Sequence, residues 1–215
     1  MIVLNFKTYQ QSTGLNAIRL AKIAKEVANK TGVTIIVCPS VIDIKEVREL
    51  VDIPIYAQHI DNIEFGAYTG YLSPKMICAK GADGTILNHA EHRLEWNVLK
   101  QTVFKVKKEG LKVILCAENV RVATKQLELF PDEIALEIPE LIGGNISISN
   151  ADPRIIKDAV RTIGEKKILV GSGIKTANDI KTALDLGVKG VIIASAFDLA
   201  ENPHKTLLSL AKAFI

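Results

Sequence analysis

A chain of 215 residues, 48% hydrophobic and 24% charged, is long enough to bury one sizeable core and too apolar to be disordered. Its 27 basic and 24 acidic side chains leave a formal charge of +3, with lysines scattered among acids, which argues against a nucleic-acid partner. No apolar run reaches the length of a membrane span, and Asn5 and Lys7 interrupt MIVLNFKTY before it could serve as a secretory leader; a cytoplasmic protein with no membrane partner is expected.

The first predicted strand is IVLNF (2–6). Side chains alternate along a strand, so Asn5 and Lys7 share a face with Val3 while Leu4 and Phe6 take the other. An amphipathic helix, NAIRLAKIAKEVANK, follows, then the apolar runs TIIVC (34–38) and PIYAQ (54–58). The fourth run, GTILN (84–88), leads into HAEHR. Alternation there places Thr85, Leu87 and His89 on one face, with His89 at the strand end just before a helix expected to begin near Glu91. The positive end of that helix would oppose a second proton on the imidazole, leaving it neutral and able to donate a hydrogen bond.

The helical segment LEWNVLKQTVFKVKKEG stops at Gly110, and KVILC (112–116) makes the fifth strand. The sixth, IALE (134–137), ends in a carboxylate, Glu137, on the face of Ala135, and runs into Pro139 and the pair Gly143-Gly144. After the helical DPRIIKDAVRTIGE comes ILVG (168–171), whose end reads Gly171-Ser172-Gly173. NDIKTALDLG then stops at Gly187, and GVIIA (190–194) closes on Ala194-Ser195-Ala196. The three cysteines, Cys38, Cys78 and Cys116, have no metal-ligand spacing, and Cys38 and Cys116 end strands as small buried groups.

Strand and helix alternate eight times without a linker, which predicts a closed (β/α)8 barrel, the TIM barrel, spanning residues 1–215 as one domain. The competing doubly wound sheet lacks the G-x-G-x-x-G expected after its first strand. A barrel puts function at the carboxyl ends of its strands. An ammonium (Lys7), an imidazole (His89) and a carboxylate (Glu137) there each have a structural explanation alone, but together they make a candidate site.

These residues resemble a known family. N-x-K on the first strand, N-H-x-E after the fourth and E-x-P-E-L-I-G after the sixth are similar to triosephosphate isomerases of the short archaeal type, and AQHID (57–61), GAYTG (66–70), VGSGIKTANDI and GVIIAS extend the likeness along the chain. The resemblance implies interconversion of dihydroxyacetone phosphate and glyceraldehyde 3-phosphate without cofactor or metal. It implies Glu137 as the base, His89 as the neutral electrophile, Lys7 as the cation with Asn5 beside it, and Glu91 as a second acid near Lys7. Ile142, Gly143, Gly171, Ser172, Gly173, Ala194 and Ser195 fall at the phosphate-binding backbone. Thr69 matches the loop that reaches a neighbouring subunit, which implies a homodimer or homotetramer. The chain departs from the family at Ile138, where proline is usual, at Gly144-Asn145 on the far side of the lid, and at Ala90, His92 and Ala196; the first two changes bear on lid closure.

Two other classes compete. A Schiff-base aldolase needs a lysine near the end of strand six, where Glu137 stands, and a metal-dependent epimerase needs converging ligands, whereas His204 lies near the C-terminus and His92 in an expected helix. A phosphate-binding barrel without catalysis would bind such a ligand and not turn it over.

Overall fold

Each apolar run becomes a strand because it is covered on both faces, by the barrel interior on one side and by helices on the other. The strands are β1 (Ile2–Asn5), β2 (Ile35–Cys38), β3 (Tyr56–Ala57), β4 (Gly84–Leu87), β5 (Lys112–Ala117), β6 (Glu133–Leu136), β7 (Ile168–Val170) and β8 (Gly190–Ile193). They come from a computed structural model that describes residues 1–138, 141, 147–164 and 167–215. The helices are α1 (Leu15–Thr31), α2 (Ile44–Leu50), α3 (Pro74–Ala79), α4 (Trp96–Lys108), α5 (Val120–Gln126), α6 (Ile148–Ala151), α7 (Pro153–Ile163), α8 (Ala177–Asp185), α9 (Ser195–Asp198) and α10 (Pro203–Ala211). None of them is long and apolar enough to cross a membrane.

Neighbouring strands pair in parallel in the order β2-β1-β8-β7-β6-β5-β4-β3. The ring closes between β2 and β3 through one parallel bridge, Val37 to Ile55, with the Val37 N–H donating to the Pro54 carbonyl at 3.0 Å. Pro54 has no N–H to return, and β3 is only two residues long. Side chains reinforce this seam at both ends. Gln58 Nε2 donates to the carbonyls of Lys7 and Cys38, each at 2.9 Å. At the opposite end Asp83 Oδ2 accepts the Ile55 N–H at 2.8 Å and pairs with Arg48.

Two apolar layers result. Val3, Ile36, Cys38, Tyr56, Ile86, Ile114, Cys116, Ala135, Leu169 and Ile192 fill the barrel. Leu4, Phe6, Val37, Leu87, Leu115, Leu136, Val170 and Ile193 pack outward against the helices. The expected facing holds on β1, where Val3 is inside and Leu4 and Phe6 outside. It fails on β4, because Ile86 is the inner residue and Leu87 the outer one, so strict alternation would send residue 89 outward. Helix ends follow their sequence signals: Gly110 and Gly187 take left-handed conformations, φ +77° and +94°. Thr176 and Asp179 form a reciprocal capping box on α8.

Candidate active site

At the end of β1 the chain turns sharply. Lys7 is left-handed, φ +48°, a conformation costly for a residue with a Cβ. The Asn5 side chain helps to hold it, its Oδ1 accepting the Lys7 N–H at 3.1 Å. Lys7 Nζ then lies 2.6 Å from Glu91 Oε1. The lysine side chain is 15% exposed and the glutamate 58%, so the pair is weak enough for Glu91 to yield Lys7 to a stronger anion.

His89 reaches this cluster by a different route from the one its spacing suggests. Asn88 is left-handed, φ +61°, which breaks the alternation after Leu87 and swings His89 into the mouth. Asn88 is held by two bonds: its Nδ2 donates to the Cys116 carbonyl at 3.1 Å and its Oδ1 accepts the Leu94 N–H at 3.0 Å. Nor does a helix begin near Glu91. Residues 90–92 form a turn closed by the His92 N–H on the His89 carbonyl at 2.8 Å, and α4 starts at Trp96. His92 therefore lies outside any helix and stacks on His59, ring centroids 3.8 Å apart. The orientation of His89 has a local cause: the Glu91 N–H donates to Nδ1 at 3.1 Å, so Nδ1 accepts and Nε2 carries a ring proton.

That proton faces Glu137. His89 Nε2 is 3.5 Å from Glu137 Oε2, at the outer edge of hydrogen-bond range, and Oε2 has no closer partner among the described residues. Burial pushes the Glu137 carboxyl up; the His89 imidazole, the Cys116 thiol and the Lys7 ammonium more than offset it, so the group stays below the usual carboxylate range. Burial, and then the Glu137 charge, push the Cys116 thiol well above its ordinary value. A carboxylate, a proton-bearing imidazole nitrogen and an ammonium thus gather at one mouth, which suits removal of a proton beside a carbonyl.

The loops after β7 and β8 surround it. Gly171 spends its N–H on the Leu136 carbonyl at 3.1 Å, so it extends the sheet and offers no amide to an anion. Its missing side chain matters more: a Cβ there would stand 2.6 Å from Glu137 Oε1. Ser172 and Gly173 are both left-handed, φ +46° and +75°, and their N–H groups make no backbone hydrogen bond among the described residues. The Ser172 hydroxyl donates to the Ile138 carbonyl at 3.0 Å. Ala194 precedes α9 and Ser195 opens it, which aims amide N–H groups at the same end of the barrel. Ile142 and Gly143, with Pro139, Gly144 and Asn145, lie outside the described residues. Thr69 is exposed on the loop between β3 and α3, and lines a cavity of about 410 Å3 with His59, Asp61, Tyr71 and His92.

Three contributors escaped sequence reasoning. Asn88 was quoted in N-H-x-E as a motif letter, though Asn tolerates the left-handed turn better than most residues. Gln58 and Cys116 gave only weaker signals, a polar residue just past a strand and a strand-end thiol. No group of three or more histidine, cysteine or acidic side chains among the described residues is placed to hold a metal ion. A larger cavity of about 800 Å3 opens at the other end of the barrel, lined by Tyr56, Lys112, Glu133 and Lys189, and shares none of the mouth's groups.

A family model described as triosephosphate isomerase matches residues 1–213. The chain belongs to the triosephosphate isomerase family. It is 42% identical over 214 residues to a triosephosphate isomerase of Methanobacterium bryantii, covering 98% of this chain and 95% of that one. It is 40% identical over 216 residues to one of Methanocaldococcus jannaschii, covering 99% of each. Its fold is that of a Bartonella henselae triosephosphate isomerase crystal structure, with a TM-score of 0.77 at 18% identity, covering 99% of this chain and 98% of that one. Membership of the family makes the chain an isomerase and does not favour the aldolase and epimerase readings.

Proposed function

We propose that this isomerase interconverts dihydroxyacetone phosphate and glyceraldehyde 3-phosphate with Glu137 as the base, as one barrel domain of residues 1–215. The observation that carries the assignment is the contact of His89 Nε2 with Glu137 Oε2 at 3.5 Å, because it sets a proton donor beside a proton acceptor. The ionised Glu137 takes a proton from the carbon next to the carbonyl. The His89 Nε2–H donates to the oxygen on which charge develops, a role for which this family is itself the standing example. Lys7, released from Glu91, supplies positive charge to the same oxygen and to the phosphate. Glu137 then returns the proton to the neighbouring carbon while the hydroxyl proton passes between the two oxygens by way of His89 Nε2, so nothing is consumed.

The amides of Ser172, Gly173, Ala194 and Ser195 are the phosphate donors in this reading, with Ile142 and Gly143 completing the set. Ile138 stands where proline is usual in the family, and its carbonyl is anchored by Ser172, which supplies from outside some of the stiffness that a proline ring would give. Self-association as a homodimer or homotetramer through the Thr69 loop is supported by three large exposed side chains on that loop: Phe65 at 66%, Tyr68 at 48% and Tyr71 at 53%. The same reading puts the enzyme in the cytoplasm, where its triose phosphates are made and used.

A coupled assay tests the base. Glu137→Gln should keep binding a phosphorylated enediolate mimic while kcat falls roughly a thousandfold, within the range usual for removing a catalytic base. An unchanged rate in Glu137→Gln removes the assignment. Tight binding of the mimic by wild type without turnover would favour the non-catalytic barrel.

A further inference from the structure

Asp198 ends the four-residue helix α9, whose first turn follows the Ala194 and Ser195 amides assigned to phosphate. It is 2% exposed, and neither carboxyl oxygen has a hydrogen-bond partner among the described residues. Buried polar groups are nearly always partnered, and an exception needs a reason. Position gives one. β1 pairs with β8, Leu4 opposite Ile193, and the rings of Phe6 and Phe197 lie 6.3 Å apart. The segments Phe6-Lys7 and Phe197-Asp198 therefore run side by side. Of the charged or titratable groups, Lys7, after β1, and the Cys38 thiol at the end of β2 lie near enough to act on Asp198 through space. From α10, packed against α9, His204 turns to Glu26 at 3.0 Å and Lys205 is exposed. Burial, only partly offset by Lys7, pushes the Asp198 carboxyl up to about 8.

We propose that Asp198 is a positioning residue that gates the phosphate subsite: as a neutral acid it leaves the Lys7 ammonium to the substrate anion, and as a carboxylate it draws Lys7 toward α9 and opposes a dianion at the Ala194 and Ser195 amides. The gate acts through Lys7 and the phosphate subsite, without contact to Glu137. It rests on the assignment of Lys7 and the Ala194 and Ser195 amides to the substrate's anionic group.

The test compares wild type with Asp198→Asn and Asp198→Val from about pH 7 to about pH 9, a range in which the substrate phosphate is already a dianion. Wild-type KM should rise roughly threefold to tenfold, the effect of one added charge at a partly solvated distance. Either variant that folds should show a flat KM. A flat wild-type KM, or an equal rise in the variants, overturns the gate. If wild type shows no isomerisation at pH 7, the functional reading fails instead. The gate is then read from the dissociation constant of inorganic sulfate, a dianion throughout, by calorimetry: weakening with pH in wild type alone supports it, and any other pattern overturns it.

Discussion

Glu137 is the proposed base, and its two oxygens have different neighbours. Oε2 meets the imidazole, and Oε1 lies over Gly171, where a Cβ would come within 2.6 Å. Gly171→Ala should therefore displace the carboxylate. Its kcat should drop at least tenfold with KM little changed, since about 1.4 kcal/mol is a factor of ten in rate and small misplacements cost more. Unchanged kinetics would show that the close approach is not needed. The pH dependence follows from the same surroundings. The carboxyl is held below its ordinary value and works only when ionised. With the substrate phosphate's own ionisation at about pH 6 divided out, the acid limb of kcat/KM should accordingly fall below about pH 4, the ordinary carboxylate range, and Glu137 should favour the folded state at every pH above that. At this scale the sequence was most informative: Lys7, His89 and Glu137 could be picked out by type and place. Asp198 could not, because in AFDLAEN it reads as an ordinary polar residue near a helix end.

Strand positions were legible because strands covered on both faces need unbroken apolar runs, and those runs sit within a residue or two of the observed elements. The segment that joins β4 to α4 was not. Its direction depends on one backbone torsion, at Asn88, which overrides the alternation that sequence periodicity assumes. Substitutions there separate conformation from hydrogen bonding. Asn88→Gly keeps the left-handed turn and loses the bonds to Cys116 and Leu94, costing about 1–3 kcal/mol. Asn88→Ala loses both and adds about 1 kcal/mol for the Cβ. Denaturant midpoints should rank wild type above the glycine variant and glycine above alanine; equal midpoints for the two variants would remove the torsional argument. β3 is a second case. PIYAQ reads as a full strand, yet Pro54 withholds a donor and only Tyr56 and Ala57 pair as strand.

The whole molecule adds one expectation. Thr69, Phe65, Tyr68 and Tyr71 sit together on an exposed loop of a chain whose other large apolar groups are mostly inside, and a symmetric self-contact would cover them. Thr69→Glu should shift the protein to a smaller species in light scattering. Activity per chain should then fall on dilution at higher concentrations than for wild type. A monomeric wild type with full activity would refute the need for a partner. The barrel itself was legible from the eightfold count alone, since neither composition nor motif marks a break in the chain.

The ring of strands is uneven. Seven junctions are ladders, and the eighth is a single bridge backed by Gln58 above and Asp83 below. Gln58 clasps two carbonyls at once, and one belongs to Lys7, whose backbone is already wound the costly way. Any loosening of that clasp would reach the ammonium before it reached the imidazole or the carboxylate. The thinnest stave of the hoop therefore stands next to the group proposed to hold the substrate's charge, and the soundness of the wall there sets how steadily that cation would be offered.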